Sequence, residues 1–217
     1  MSETVLEIQS SWSGSQPSKT GETGSAGIDA AWALVARMEK VVDRFQHRIY
    51  LVGNSAEYCL LQSVEGDDTN DAPPSPPVQD PSVEKRDGSQ VALGVGMAGP
   101  SLWSFSIEAT DQQGRLDFDI ACNHRGGPAR PASTYEVPSS ETPSGEWQIV
   151  PNQDAGSLSL RLPEHQIQLV LHPLLPGHPA TSVSLEDQRQ ILITHPVGDA
   201  PETYRWCYRM QLSPLPT

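Results

Sequence analysis

Cysteine is scarce in this chain, and its placement excludes two common ways of stabilising a small fold. The three cysteines, Cys59, Cys122 and Cys207, lie far apart among 217 residues and form no CxxC pair. An odd number at such spacing indicates neither a disulfide framework nor a cysteine-rich zinc site. We therefore expect reduced thiols and a cytoplasmic protein.

Positive charge and long apolar runs are also lacking. The chain has 14 Lys and Arg against 27 Asp and Glu, which gives a net charge of −13. Such a charge disfavours binding to nucleic acid or to anionic membranes by overall electrostatic attraction. No apolar run approaches the ~18 residues of a membrane span, and the first residues lack the pattern of a signal peptide. The sequence thus predicts binding to neither nucleic acid nor membrane.

The common catalytic motifs are absent as well. There is no G-x-S-x-G elbow, Walker loop, H-E-x-x-H helix or H-x-E with P-C-x-x-C. Four histidines lie in or near predicted turns without metal-ligand spacing, and we assign them no role: His165, His172, His178 and His195. No cofactor is predicted.

Two further sequence patterns resemble functional sites, but a structural role explains each of them better. GVGMAG, residues 94 to 99, matches the G-x-G-x-x-G fingerprint, yet Pro100 and an alternating segment follow where that fingerprint requires a helix. We expect Gly94 and Gly96 to form a low strip where a helix or a ligand can approach the backbone, with a packed helix preferred, and Val95 and Met97 on the apolar face. Cys122 and His124 share a predicted strand face, but Cys122 continues an apolar series and is interpreted as a buried thiol.

Two segments have too little apolar content to offset the entropy of ordering. They are residues 10 to 27, rich in Ser, Gly and Thr, and residues 66 to 90, which hold five prolines and mostly acidic charges. Both are predicted to be disordered. We interpret the string PPSPP in the second as part of a linker rather than as a ligand for a proline-recognition domain.

Residues 28 to 52 show a helical period. At 100° per residue the apolar side chains share one sector and the basic ones take the opposite sector. The apolar set is Leu34, Val35, Met38, Val41, Val42, Phe45 and Ile49, and the basic set is Arg37, Lys40, Arg44 and Arg48. The pattern predicts an amphipathic helix that changes into a strand near Arg48, followed by a turn at GNSAE and a strand at EYCLLQSV.

After residue 90 the period changes to two. Predicted strands cover 91–97, 102–109, 115–122, 146–150, 157–162, 166–172, 189–195 and 203–212. Short turns such as DQQG and PEH join most of them, which favours an antiparallel meander closed into a barrel or folded into a sandwich. On the last strand, Tyr204, Trp206, Tyr208, Met210 and Leu212 share a face that lines the core or an apolar ligand cavity.

The predicted fold class is α+β, mainly β, with one helix packed on the meander. The predicted organisation is a disordered segment at 1–27, a helix plus hairpin at 28–65, a disordered insert at 66–90 and the meander at 91–217, with 28–65 and 91–217 in a single domain. The oligomeric state is left open.

The stretch SLWSFSIEATDQQGRLDFDIACNH, residues 101 to 124, is predicted to form a hairpin with DQQG as its turn. That register pairs Phe105 with Ile120 and Trp103 with Cys122, and it sets Glu108 opposite Asp117. Like charges facing each other across a strand pair are destabilising. The repulsion is relieved by solvent together with Arg115, by an arginine such as Arg205 or Arg209 of the last strand, or by a bound cation or shared proton.

Two functions follow from these patterns. The first is a non-catalytic binding or accessory protein that engages a protein partner or a small apolar ligand. The alternative is a carboxylate-based enzyme or a metal-dependent protein that uses Glu108, Asp117 and Asp119 as catalytic or metal-binding residues.

Overall fold

The protein is nearly all β. The computed structural model describes residues 5–13, 31–66, 73–125, 131–138, 148–151, 156–174, 181–187, 189–195 and 203–216. In these ranges the helical content is one 3-10 turn, Pro163–His165. The strands are β1 Leu6–Trp12, β2 Trp32–Val41, β3 Arg44–Val52, β4 Glu57–Ser63, β5 Ser82–Arg86, β6 Ser89–Ala98, β7 Ser101–Thr110, β8 Arg115–Asn123, β9 Ala132–Glu136, β10 Gln148–Pro151, β11 Leu158–Leu162, β12 Ile167–Pro173, β13 Ser182–Asp187, β14 Gln190–Thr194 and β15 Tyr204–Pro214.

The strands form two antiparallel sheets. Sheet A has the order β1-β2-β3-β4-β9-β14-β13, and sheet B has the order β10-β11-β12-β15-β8-β7-β6-β5. Period-two alternation directs one face of each sheet into a shared hydrophobic core and the other face outward. The architecture is therefore a sandwich of two sheets.

The amphipathic helix predicted over 28–52 is wrong. Its described residues, 31 to 52, form the β2–β3 hairpin, in which Leu34 faces Leu51 and Ala36 faces Ile49 from the core side. Arg37 and Arg48, assigned to one basic helix stripe, lie directly opposite each other on the outer face. Arg37 contacts Glu7 at 2.7 Å and Glu57 at 2.6 Å. The arginine spacing thus reflects cross-strand ion pairs rather than a helix face.

Disorder over 66–90 is also wrong for residues 73 to 90, which the structure describes. Ser75 lies against sheet A, where its hydroxyl donates to the carbonyl of Thr134 at 2.8 Å. The carbonyl of Val78 accepts from the amide of Phe45 in sheet A at 2.6 Å, and the next amide, of Gln79, donates to Val95 in sheet B at 2.9 Å. Residues 73–80 of the Pro-rich segment, which we call the strap, join the two sheets. The buried prolines of the strap are therefore not free to act as a docking peptide.

The antiparallel β content predicted after residue 90 is confirmed, although the order is not a simple meander. β9 inserts between β4 and β14 in sheet A, and β15 lies between β8 and β12 in sheet B. β1 was missed within the segment predicted to be disordered, and residues 14 to 27 of that segment lie outside the described ranges. β5, β9 and β13 were missed too.

No helix long and apolar enough to cross a membrane is found in the described residues.

Candidate functional site

The β7–β8 hairpin has the predicted register. Glu108 faces Asp117, Ser106 faces Asp119, and Phe105 faces Ile120. Because β15 pairs with the other edge of β8, it sets Arg209 opposite Asp117 and Cys207 opposite Asp119. All three carboxylates singled out in the sequence therefore lie on the outer face of sheet B.

Asp117 is held by two arginines. The guanidinium of Arg209 donates to its carboxylate from Nε at 2.6 Å and from the second nitrogen at 2.9 Å. Arg115 lies 3.3 Å from the same carboxylate. The Asp117 side chain is 15% exposed, so this bidentate pair is partly shielded from water. The hydrogen bonds that Arg209 donates to Asp117 raise the pKa of Arg209.

Asp119 is held in the same way one step along the strand. Arg205 donates to it at 2.8 and 2.5 Å, and the Cys207 thiol donates to it at 3.3 Å. The hydrogen bonds from Arg205 lower the pKa of the Asp119 carboxyl. Burial raises the pKa of the Cys207 thiol to about 11. The repulsion expected between the acidic side chains is thus relieved by arginines of the last strand, one of the three alternatives that the sequence left open.

Glu108 has no ion pair within the described part of the chain. The carboxylates of Asp117 and Asp119 are already engaged by guanidinium groups, which would have to be displaced before either could bind a cation. Among the described residues, no cluster of three or more His, Cys, Asp or Glu side chains that could hold a metal ion is found.

A groove of about 650 Å³ runs over this face. Its floor consists of small side chains on β7 and β8, namely Ser104, Ser106 and Ala121. Leu93 and Val95 of β6 lie on one side, with Asp80 and Ser82 beyond them, and the Asp119–Arg205 pair lies on the other. The Arg205 side chain is 60% exposed. One side of the groove is therefore apolar, the floor carries hydroxyls and the other side is charged.

An apolar patch, defined as Val95, Met97 and Leu102, borders this groove. Met97 and Leu102 are cross-strand partners, and Val95 lies two residues from Met97 on the same face. The three side chains are 56%, 53% and 45% exposed. Scattered exposed apolar residues are ordinary, but a contiguous set beside a groove is typical of a contact surface.

The backbone beneath Met97 is held firmly. The side-chain amide of Gln79 accepts from the Met97 amide at 3.0 Å and donates to its carbonyl at 3.4 Å. Gln79 thereby continues the hydrogen bonding of β6 beyond the end of β5. The apolar patch is presented by a rigid strand and not by a loose turn.

The glycine strip has a different occupant from the one predicted. Val95 and Met97 face solvent, and Gly94 and Gly96 face inward against the strap. A Cβ at Gly96 would lie 1.5 Å from the carbonyl oxygen of Pro77, and one at Gly94 would lie 2.7 Å from Val78. The glycines are needed because the strap, and no helix, packs on their backbone.

The interior is filled by the aromatic series of β15. Tyr204, Trp206, Tyr208, Met210 and Leu212 are all buried in the core. The ring of Tyr208 stacks on Phe118 at 4.5 Å. The sequence left open whether this series lines the core or an apolar ligand cavity, and in the structure it lines the core.

A buried polar chain crosses this core. The Tyr135 hydroxyl lies 2.7 Å from His47 Nε2 and 2.6 Å from the Tyr208 hydroxyl. Burial lowers the pKa of His47 to about 3 and raises that of both phenols. His47, Tyr135 and Tyr208 are at most 1% exposed, so the chain links sheet A to sheet B through neutral groups.

The pair Cys122 and His124 does not form a thiolate site. Cys122 is fully buried, and burial raises the pKa of its thiol to about 12. His124 Nδ1 lies 3.1 Å from the buried hydroxyl of Ser101. His165 Nε2 contacts the Tyr58 hydroxyl at 3.0 Å, and His178 lies outside the described residues.

The apolar patch was not predicted from the sequence, because Val95 and Met97 were expected on the face of the strand that packs on the core. One signal was available: Phe105 and Trp103 are the cross-strand partners of Gly94 and Gly96. Since Phe105 and Trp103 were predicted to face the core, the glycines had to face it too, and Val95 and Met97 had to point outward.

No protein-family model matches the chain, and no curated protein or solved structure is significantly similar to it.

Proposed function

We propose that the protein is a non-catalytic binding module that engages a protein partner through the outer face of sheet B. The observation that carries this proposal is the contiguous apolar patch, Val95, Met97 and Leu102, on a rigid strand pair beside a groove. Covering such side chains contributes about 25 cal/mol per Å² of apolar area removed from water.

A protein partner fits this face better than a small apolar ligand does. The groove is open along the sheet and carries hydroxyls and an ion pair, whereas sites for small apolar ligands enclose most of the ligand in apolar walls. A partner surface can cover the patch and meet the charged side of the groove at once.

The test is a selection of displayed 12-residue peptides on the immobilised protein, followed by affinity measurements with Met97→Asp. Met97→Asp places a charge in the apolar patch, and we expect selected peptides to lose about tenfold or more in affinity, or ~1.4 kcal/mol. The control is Val42→Asp, at the turn between β2 and β3, where the side chain is 91% exposed. Failure to enrich any peptide, or equal binding by both variants, would contradict the proposal.

A further inference from the structure

A half-buried carboxylate lies where sheet A meets the strap. Glu65 follows the end of β4 and is half-buried. Its Oε1 accepts from the Ser63 hydroxyl at 2.5 Å, and that hydroxyl accepts from the His47 amide at 3.0 Å. Its Oε2 is buried and has no hydrogen-bond partner among the described residues. One carboxylate oxygen is therefore removed from water without a donor, an arrangement that favours the protonated acid.

The ionisable groups around Glu65 leave that preference in place. Burial raises the pKa of Glu65 to about 7, Arg44 acts to lower it, and Asp43 acts to raise it. Arg44 is itself buried and donates to Asp43 at 2.9 and 3.1 Å. Tyr135 of β9 and His47 of β3 are neutral on this side of the core, because burial raises the pKa of the phenol and lowers that of the imidazole.

The chain segments on both sides of Glu65 are fastened to the strap or to its anchor on β9, Thr134. The carbonyl of Thr134 accepts from the Val64 amide at 2.9 Å and from the Ser75 hydroxyl of the strap at 2.8 Å. The amide of Thr134 donates to the same Ser75 hydroxyl at 3.1 Å. A Cβ at Gly66 would lie 2.8 Å from the first proline of the strap. Glu65 therefore lies at the point where the strap is attached to sheet A.

The strap connects this attachment to the outer face of sheet B. Four of its eight residues are proline, whose ring fixes φ and makes the segment stiff. At its far end, the Val78 carbonyl accepts from the Phe45 amide, and the Gln79 amide donates to the Val95 carbonyl. The side chain of Gln79 also holds the backbone of Met97, at 3.0 and 3.4 Å. Release of the strap would therefore free the backbone under the apolar patch.

We propose that Glu65 is a proton-controlled latch for the strap: the protonated acid keeps the strap docked between the sheets, and the carboxylate releases it. Release is local, because the strap is held by a few hydrogen bonds and by packing, and both sheets keep their own ladders when it leaves. The inference goes beyond the proposed function, since the latch operates whether or not a partner binds.

The direction of the pH response follows from the proton balance. The pKa of Glu65 is about 7 with the strap docked, and its ordinary value in water is 4.5. The docked state thus holds a proton that the open state releases, so opening becomes easier as the pH rises from about 4.5 to 7 and levels off above that. Between pH 5 and pH 8 the equilibrium constant for opening should rise roughly 70-fold.

The first experiment is amide hydrogen exchange by NMR from pH 5 to pH 8, with protection expressed relative to the intrinsic exchange rate at each pH. The amides of Phe45, Gln79 and Met97 should lose protection by roughly 70-fold across this range. Glu65→Gln should make their protection independent of pH, whereas Glu136→Gln, an exposed position on β9, should behave as the wild type. Constant protection in the wild type, or the same loss in Glu65→Gln, overturns the latch.

Amides of β8 distinguish opening of the strap from unfolding of the whole chain. Phe118 and Ile120 are fully buried on a strand between β7 and β15, so their amides should exchange only through global unfolding. Low concentrations of urea should speed their exchange and leave that of Phe45 and Gln79 unchanged. If the strap amides are as slow and as urea-sensitive as those of β8, the strap does not open by itself and the proposal is wrong.

Ser63→Ala separates a titrating latch from a purely structural contact. The variant removes the hydroxyl whose hydrogen bond lowers the pKa of Glu65, so the pH at which strap protection stops falling should move above 7. Loss of packing alone would lower the protection equally at every pH. Such a uniform loss, with the end point of the pH curve unmoved, would contradict the proposal.

Discussion

The β7–β8 and β2–β3 hairpins are built alike, yet only the first was predicted from the sequence. Both direct an apolar column into the core and set arginines on the outer face beside carboxylates. They differ in their turns. The first turn has positive φ at Gln112, 61°, and at Gly114, 55°, whereas the second has φ of 60° at Val42, a conformation in which a β-branched residue is a genuine outlier.

The alternation also differs between the two hairpins. Residues 101 to 110 alternate strictly, but Val35 occupies an outward position of β2 and is still only 1% exposed. Its presence beside Leu34 and Met38 produced the i, i+1, i+4 spacing of a helix. Ala, Met, Glu, Lys and Arg around it are all good helix formers. Local propensity favoured the helix, and tertiary burial in sheet A overrides it.

The largest expected effect distinguishes hairpin from helix directly. Met38→Asp buries an unpaired charge and should cost several kcal/mol of unfolding free energy. Val42→Asp should not lower it, because that side chain is exposed at a turn and aspartate tolerates positive φ better than a β-branched residue does. A helix would bury both residues in the same sector. If urea denaturation shows similarly large losses of unfolding free energy for both variants, the helix prediction is right and the comparison of the two hairpins fails.

The second prediction concerns the outward side of β7–β8. Asp117→Asn removes the bidentate acceptor of Arg209 and should destabilise the fold by about 1 to 3 kcal/mol. Glu108→Gln is the matched control at the position directly opposite, and it should be neutral or slightly stabilising because it removes a like charge. If Asp117→Asn proves stabilising in chemical denaturation, the face is merely solvated and the arginines contribute nothing.

The third prediction concerns the pH response of sheet A. Near β3 of sheet A, burial raises the pKa of Glu65 to about 7, so the folded state holds a proton that the unfolded state releases. Unfolding free energy attributable to Glu65 should therefore fall as pH rises from about 4.5 to 7. His47, whose pKa burial lowers to about 3, opposes this trend below pH 6.5.

Glu65→Gln separates the two contributions. At pH 8 it should stabilise the protein by roughly 1 to 3 kcal/mol, since no carboxylate has to be ionised at this half-buried position, and at pH 4 it should have little effect. The variant should then lose stability steadily from pH 6.5 downward through His47. Equal effects of the substitution at both pH values would show that Glu65 titrates normally.

The smallest effects sharpen the contrast between the turns. Val42→Gly should stabilise the protein by about 1 kcal/mol, because glycine adopts positive φ without strain. Gly114→Ala should destabilise it by at least about 1 kcal/mol, since the added Cβ would also lie 2.7 Å from Trp12. Thermal unfolding measures both. A destabilising Val42→Gly would mean that the β2–β3 turn does not have its assigned conformation.

The sequence was sufficient to predict a strand pair where the two strands are joined by a short turn and their apolar residues match in register. The register of residues 101 to 124 followed from matching apolar to apolar across a turn with glycine, and the arginines of β15 were among the named partners for its acids. β9 was not predictable in this way, because both of its neighbours in sheet A, β4 and β14, are distant in sequence, whereas β13 was missed although it forms a hairpin with β14. The strap at 73–80 was missed because its order comes from contacts with two sheets and not from its own apolar content.

The central claim is that the outer face of sheet B binds a protein, and protection of Met97 tests it most directly. Met97 is 53% exposed, whereas Met38 and Met210 are at most 1% exposed. Peroxide oxidation followed by peptide mass spectrometry should modify Met97 quickly in the free protein and slowly with a saturating selected peptide, while Met38 and Met210 stay slow in both conditions. Oxidation of Met97 at one unchanged rate with and without the peptide would contradict the claim.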